Sequence, residues 1–299
     1  MISVHLDESW INPKSSYPPR LVGAAEYVYA QREVPLRLWV YPARRPSSDD
    51  DAADASPAVI FFFGGSWRYG TPAQFAAQAR YLASRGVTGI VADYRVETRN
   101  GTRLDAAMED ARTAVAWIRA NAAHFGIDPA RIAVGGGSAG GHLAAACATV
   151  SPAADSAPNA LVLFNPVLVL NREAAPAERR DAVMPGNLMP MLQAWGVDPA
   201  AVCPLTHLSA PLPPTLVLHG RADVMVPFAA SEVFVERARQ LGSDATLVGY
   251  DEQTHGFFNV GRGGNWAFAA TLRRVDQFFR RLGWVTGEPT IDASPGWTE

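Results

Sequence analysis

One junction constrains the fold of this chain more than any other. The apolar run Arg131-Ile132-Ala133-Val134 leads through Gly136-Gly137-Ser138-Ala139-Gly140 into the alanine-rich stretch His142-Leu143-Ala144-Ala145-Ala146. A strand, a sharp turn and a helix in direct succession need glycines beside the central residue, because a Cβ there would clash where strand and helix nearly touch. Such a turn forces Ser138 into a strained backbone conformation. It also sets the hydroxyl beside a helix N-terminus, with its free N–H groups and partial positive charge. Taken alone, the pentapeptide also fits a plain glycine-rich turn with an ordinary serine, so the rest of the chain decides.

Flanking segments repeat the strand-then-helix theme. Residues 25–41 read as two strands, with alternation in Leu36-Arg37-Leu38-Trp39-Val40-Tyr41. Ser47 to Ser56 is an acidic, Ser/Ala-rich stretch expected to form a mobile surface loop. Val59-Ile60-Phe61-Phe62-Phe63 is apolar without alternation, as a strand buried on both faces should be. Thr71-Pro72 opens a helix that Gly86 ends. Val87 to Tyr94 is the next strand. Leu104, Met108, Ala111, Val115 and Ile118 recur at three- and four-residue spacing, predicting an amphipathic helix over 104–124. Asp128-Pro129 punctuates before the strand that leads to Ser138. Strands follow at 161–164, 215–219 and 246–250, with helices at 228–241 and 265–282. This alternation predicts an α/β fold, a mostly parallel central sheet with helices on both faces and the first two strands as an antiparallel edge.

The 299 residues, 48% of them hydrophobic, suit one large domain spanning 1–299. The Pro-rich segment 166–212 is too long for a plain connection and is expected to form a small lid. Its Met184, Leu188, Met189, Met191, Leu192 and Trp195 either face a substrate or pack the lid onto the body.

Charge and cysteine usage narrow the partners. Net charge is −3, so no basic face is implied, and nucleic acid and anionic membranes are poor candidates. Lys14 is the only lysine; the remaining basic residues are arginines, a coding bias rather than a surface. Cys147 and Cys203 form neither a disulfide framework nor a metal-ligand spacing, and Cys147 reads as a small core residue. Met1 to Glu8 lacks a basic region followed by an apolar stretch, and no uncharged apolar run reaches membrane-spanning length. The expectation is a cytoplasmic protein, although a chain trimmed of its leader would look the same.

A serine in such a turn is inert without a base and a group to orient that base. Asp223 follows strand 215–219 in His219-Gly220-Arg221-Ala222-Asp223, and His255 follows strand 246–250 in Thr254-His255-Gly256-Phe257-Phe258. Both fall in loops past the carboxyl ends of strands, where sites in open α/β sheets form. The chain order serine, acid, histidine is the one found on such sheets. Asp251 and Glu252 are nearer His255 in sequence but lack that loop context. His142, one helical turn beyond Ser138, reads as a brace of the turn, and His219 as a structural hydrogen-bonding group. Asp93 and Asp110 also read as structural. Donors for a developing oxyanion are expected from the amides of Ala139, Gly65 and Ser66, the latter two in Gly64-Gly65-Ser66-Trp67 after strand 59–63. A plain Gly-Gly turn is the competing reading there.

Together these marks resemble the α/β-hydrolase esterases, of the hormone-sensitive-lipase-like and acetyl-xylan/feruloyl-esterase-like branch. The matching residues are Phe63-Gly64-Gly65-Ser66-Trp67, Asp93-Tyr94-Arg95, Gly136-Gly137-Ser138-Ala139-Gly140-Gly141, Asp223 before Val226-Pro227, and His255-Gly256-Phe257-Phe258. Two positions depart from the family's His-Gly-Gly-Gly loop: Phe63 stands at the histidine and Ser66 at the third glycine. The resemblance implies a serine carboxylesterase acting on short, acetyl-like acyl esters, with carbohydrates among the candidate substrates. It requires no metal or organic cofactor. Small-molecule esters are the expected partners, and a homo-oligomer stays open. Phe63, Trp67, Met189 and Trp195 are the candidate substrate contacts; Trp67, Trp195 and Trp266 are candidates for stacking on sugars. Asn259, Arg262 and Asn265 either meet a polar leaving group or serve the turn. The alternatives are a lipase, a peptidase of the prolyl-oligopeptidase type and a non-catalytic binding protein on the same scaffold.

Overall fold

Val59 to Phe62 shows no polar alternation because it lies at the centre of a sheet covered on both sides. The computed structural model describes residues 17–44, 55–186, 188–262 and 265–291. In it β3 (Ser56–Phe62) is buried along its whole length. Side chains divide by parity, as strand geometry requires. Ala58, Ile60 and Phe62 join one hydrophobic cluster, Val59 and Phe61 the other. The remaining strands are β1 (Ala25–Gln31), β2 (Pro35–Tyr41), β4 (Thr88–Ala92), β5 (Ile127–Gly137), β6 (Ala160–Phe164), β7 (Thr215–Gly220) and β8 (Ala245–Tyr250). Their order is β1-β2-β4-β3-β5-β6-β7-β8. β2 pairs antiparallel with both β1 and β4, and every other pairing is parallel, so the antiparallel edge stands where the sequence places it.

Nine α-helical segments lie among the described residues: α1 (Ala76–Ser84), α2 (Glu97–Asn100), α3 (Leu104–Ala120), α4 (Ala139–Thr149), α5 (Met189–Ala194), α6 (Pro199–Val202), α7 (Pro204–His207), α8 (Phe228–Gln240) and α9 (Trp266–Arg281). α1 and α9 cover the Val59/Phe61 face through Leu82, Phe268 and Leu272. α3, α4 and α8 cover the opposite face through Val115, Leu143 and Phe234. Two helix boundaries are tighter than the periodicity predicts. The helix opened by Pro72 begins as a 3-10 turn, Pro72–Phe75. The one beginning at Leu104 stops at Ala120, and a separate 3-10 turn, Ala122–Phe125, follows.

Asp128-Pro129 does not precede β5 but lies inside it. The β3 pairing slips between Ser56↔Ile127 and Ala58↔Ile132, and the looped-out residues are tied by Ala130 N donating to Asp128 Oδ1 at 2.8 Å. This is a bulge, with extra residues on one strand accommodated by a local side-chain turn.

α4 is buried on nearly every side, and a helix apolar all round needs a cover all round. Residues 166–212 supply it. The buried run Val167 to Leu170 packs under this segment, and Leu170 N donates to Cys203 Sγ at 3.3 Å, pinning its two ends together. Leu188, Leu192 and Trp195 are buried in the cluster of α3 and α4, and Met184, Met189 and Met191 pack against it half-buried. Of the two roles open to these residues, packing is therefore the one the contacts display. Most of the acidic Ser47–Ser56 stretch, Lys14 and the Met1–Glu8 start lie outside the described residues. Among the described residues no helix is long and apolar enough to cross a membrane.

Candidate active site

β5 ends at Gly137 and α4 begins at Ala139, which leaves Ser138 alone to make the reversal. Its backbone sits at φ 53°, ψ −115°, a conformation that side chains rarely adopt and that persists only where the surroundings enforce it. The enforcement is visible. Ser138 N donates to Phe164 O at 2.9 Å, and His142 N donates to Ser138 O at 3.0 Å. Two of the pentapeptide's three glycines, Gly136 and Gly140, are required by close approach to backbone. A Cβ on Gly136 would stand 2.5 Å from the Phe62 carbonyl oxygen, and one on Gly140 would stand 2.0 Å from it.

Asp223 follows β7, and its carboxylate is wholly shielded from solvent. Five donors surround it. His255 Nδ1 lies 2.7 Å from Oδ2, Asn165 Nδ2 donates to the same oxygen at 2.6 Å, and His219 Nε2 stands 3.3 Å away. The amides of Met225 and Val226 donate to Oδ1 at 2.9 and 3.0 Å. Burial pushes this carboxyl up. Hydrogen bonds from His219 and His255, the charge of His255 and the Val226 amide pull it down further, and the balance holds it well below the usual carboxylate range. An acceptor-only carboxylate facing Nδ1 obliges that nitrogen to carry the proton, which leaves His255 Nε2 as the basic atom. The nearer acid, Asp251, is exposed and pairs instead with Arg221 at 3.0 Å.

The other two histidines weighed from the sequence are accounted for by their contacts. His219 Nε2 points at the Val226 carbonyl at 3.0 Å and at Asp223, so it carries hydrogen, while Nδ1 accepts from Ser231 Oγ at 2.7 Å. His142 Nε2 stands 2.7 Å from the Val202 carbonyl, tying α4 to the covering segment. Burial lowers its pKa to about 4 and keeps it neutral. Asp93 and Asp110 are buried acids held by Arg99 and Arg95.

The loop after β3 presents backbone donors that no protein acceptor among the described residues takes up. Gly65, Ser66 and Trp67 have φ of 119°, 53° and 58°. Gly65 O accepts from the amides of Arg68 and Tyr69, closing a tight coil. A Cβ on Gly65 would come within 2.2 Å of the Tyr69 carbonyl oxygen, so glycine is obligatory there. Gly64 N is committed to Gln74 Oε1 at 2.6 Å. Among the described residues the amides of Gly65, Ser66 and Ala139 meet no acceptor. Phe63 O accepts from Tyr94 Oη at 2.8 Å, and the two rings stack with centroids 4.1 Å apart. Tyr94 thus braces the loop at the position where the resembling family has a histidine.

These groups converge on a cavity of about 220 Å³ whose wall includes Ser138, His255, Gly65, Ser66, Met225 and Arg262. The four side chains expected from the sequence to touch substrate are not part of that wall. Phe63 is spent on Tyr94, and Trp67 is fully buried edge-on to the His142 ring at 5.1 Å. Met189 packs against the core, and Trp195 donates from Nε1 to Glu97 at 3.0 Å. Sequence reasoning missed Tyr69, Gln74, Met225 and Phe258 in the wall and Asn165 behind it. The available signal was their place: Asn165 directly follows β6 and Met225 follows β7 at the carboxyl edge that carries Ser138, Asp223 and His255. A larger cavity, about 590 Å³, lies between residues 171–176 and α8 and includes none of these groups.

A nucleophile at a strained turn, a base oriented by a buried carboxylate and free amides together allow acyl transfer. Comparisons with known proteins agree with this chemistry. Probable carboxylic ester hydrolase LipM of Mycobacterium tuberculosis is 31% identical over 267 residues, covering 83% of this chain; the chain spans only 58% of that relative's length. Thermogutta terrifontis esterase 2 phosphoramylated by tabun superposes with a TM-score of 0.80 at 39% identity, over 91% of this chain and 100% of that one. The propionate-bound form of the same esterase gives 0.79 at 40% identity, over 91% and 99%. The family model described as alpha/beta hydrolase fold matches residues 59–259, which include Ser138, Asp223, His255 and the amides of Gly65, Ser66 and Ala139, and the chain accordingly belongs to the α/β-hydrolase family.

Proposed function

We propose that the protein is a serine carboxylesterase that hydrolyses short-chain acyl esters. The observation that carries this reading is the single small cavity wall shared by Ser138, His255 and the unpaired amides of Gly65 and Ser66. In this mechanism His255 Nε2 takes the hydroxyl proton as Ser138 Oγ attacks the ester carbonyl. Asp223 holds the imidazole in the Nδ1–H form and stabilises its cation. Gly65, Ser66 and Ala139 donate to the oxyanion, whose charge develops only in the transition state. His255 then delivers the proton to the leaving alkoxide, the alcohol departs, and the acyl group stays on Ser138. Water, deprotonated by His255, attacks the acyl-enzyme; the acid leaves and Ser138 recovers its proton.

Cavity volume supports a short acyl group. About 220 Å³ is the space of about seven liquid waters, enough for an acetyl to butyryl chain with part of the alcohol. The propionate-bound relative agrees in size. Exposed Arg262 and Tyr69 offer polar contacts to the leaving group, whereas of the tryptophans suggested for sugar stacking Trp67 and Trp195 are buried, and half-buried Trp266 packs against the core away from the cavity wall. Residues 166–212 act in this reading as a cover packed onto α3 and α4 within one domain. Their apolar residues are used up in packing, which argues against a long-chain lipase.

The test is a p-nitrophenyl ester series from acetate to laurate, followed by acetylated sugars and a peptide p-nitroanilide. Turnover should peak at two to four carbons and fall with length. Ser138→Ala should lose on the order of 10⁶ in turnover. A maximum at long chains, faster cleavage of the anilide, or retained activity in Ser138→Ala would sink the proposal.

A further inference from the structure

The oxyanion loop and the histidine loop leave the sheet far apart. They follow β3 and β8, with β5, β6 and β7 between them. Four strand spacings of about 4.8 Å put their origins roughly 19 Å apart. Hydrolysis nevertheless requires both loops to meet on one tetrahedral carbon. The sheet alone does not hold them in register.

Two buried carboxamides join them. Gln74, in the turn Pro72–Phe75, receives the Gly64 amide on Oε1 at 2.6 Å. Its Nε2 donates to Asn259 Oδ1 at 3.1 Å, and Asn259 Nδ2 donates to the Gly256 carbonyl at 2.8 Å. Gln74 is 7% exposed and Asn259 1%. The series starts at a backbone N–H, which only donates, and ends at a backbone carbonyl, which only accepts. Each carboxamide therefore has one allowed orientation; flipping either sets donor against donor and acceptor against acceptor. Gly64 immediately precedes Gly65 and Ser66, and Gly256 immediately follows His255. One turn along, Gln78 Nε2 donates to the Phe258 carbonyl at 3.4 Å, tying the same two regions a second time.

We infer that Gln74 and Asn259 are positioning residues that set the spacing between the oxyanion donors and the imidazole, acting through Gly64 and Gly256. The inference rests on the esterase reading above. A displacement on the order of 1 Å at the reacting centre costs about 100-fold in rate, so a clamp of this kind is felt in turnover before it is felt in substrate binding.

The experiment measures p-nitrophenyl acetate hydrolysis per active site, with sites counted by fluorophosphonate labelling. Gln74→Met removes both bonds at similar volume; kcat per labelled site should fall about 10- to 100-fold with KM within about twofold. Gln74→Glu separates positioning from packing. Its carboxylate still accepts from Gly64 but faces Asn259 acceptor to acceptor; once protonated it donates as the amide did. The ratio of its kcat to that of the unaltered protein should rise several-fold from pH 8 to pH 5.5. Should Gln74→Met not fold, Asn259→Asp, which keeps the acceptor for Gln74 and loses the donor to Gly256, should show the same fall in kcat. Unchanged kcat per labelled site, or a flat ratio for Gln74→Glu, overturns the inference. Failure of the esterase reading would look different: the unaltered protein would neither label at Ser138 nor hydrolyse any ester.

Discussion

The two halves of the site are finished to different degrees. Around Asp223 every acceptor is filled: His255, His219, Asn165 and the amides of Met225 and Val226 all converge on one carboxylate. Around Gly65 the opposite holds. Three successive residues have positive φ, and the amides of Gly65 and Ser66 have no acceptor among the described residues. In the proposed mechanism this saturated carboxylate gains nothing further when substrate arrives, so its contribution is orientation before the reaction. In the same proposal the amides of Gly65 and Ser66 gain their partner only when charge appears on the substrate oxygen, which places their contribution in the transition state. Strain is stored on the second side, and electrostatic order on the first.

Perturbing the saturated side should have the largest effect. Asp223→Asn replaces the carboxylate by a group that cannot accept from every donor now facing it and no longer favours the Nδ1–H tautomer. Its kcat should fall on the order of 10⁴-fold, by analogy with the same change in a serine protease. Single-turnover acylation rates would measure it; a loss under tenfold would remove Asp223 from its role. On the strained side Gly65→Ala adds a Cβ that would lie 2.2 Å from the Tyr69 carbonyl oxygen. The loop has to shift, and kcat should drop on the order of 10²- to 10³-fold, the value of one oxyanion donor. Retained burst amplitude with fluorophosphonate would show that Ser138 itself is intact. An equal loss in both would mean that the fold, and not the loop, had failed.

A third prediction concerns pH and stability. His142 is buried and neutral: its folded pKa is about 4, against 6.5 for the free side chain. Between these values the unfolded chain binds more protons than the folded one, so stability rises with pH through this window. It is lost as the solution is acidified from 6.5 toward 4, by about 3 kcal/mol at most. His142→Gln, which can keep a donor toward Val202, should flatten that dependence when Tm is compared at pH 7 and pH 4.5. An unchanged acid slope would assign the loss to other groups, Asp223 among them. Its depressed pKa contributes stability above the ordinary carboxylate range, and that stability is lost as pH falls through it.

The smallest effect is expected away from both halves. Trp195→Phe loses the Nε1 bond to Glu97 and keeps most of the packing. kcat/KM on p-nitrophenyl acetate should stay within about twofold, and Tm should fall by roughly 2–4 °C. A large change in KM would return the covering segment to the substrate site.

Ser138, Asp223, His255, Gly65 and Ser66 were legible in the chain because each belongs to a local pattern: a glycine-flanked turn or a loop directly after an apolar run. So was the sheet, since Val59 to Phe62 and Leu161 to Phe164 are apolar without alternation. Helix ends and the bulge at Asp128 were harder, because side-chain bonds such as Asp128 to Ala130 reset the backbone locally. The cavity wall was hardest. Trp67 and Trp195 look like binding residues by composition, yet both are buried against the body. Gln74 looks like an ordinary helix residue, yet it meets Asn259 across a sequence separation of 185.

What the sequence determined by itself is therefore the order of the elements and the choice of candidate reacting groups, because hydrophobic period and turn chemistry act between neighbours in the chain. What only the tertiary structure decided is which side chains share one cavity. Convergence of β3, β5, β7 and β8 at a common edge brings together residues that no local pattern relates. Whether a tryptophan faces that cavity or the core depends on which neighbour reaches it first.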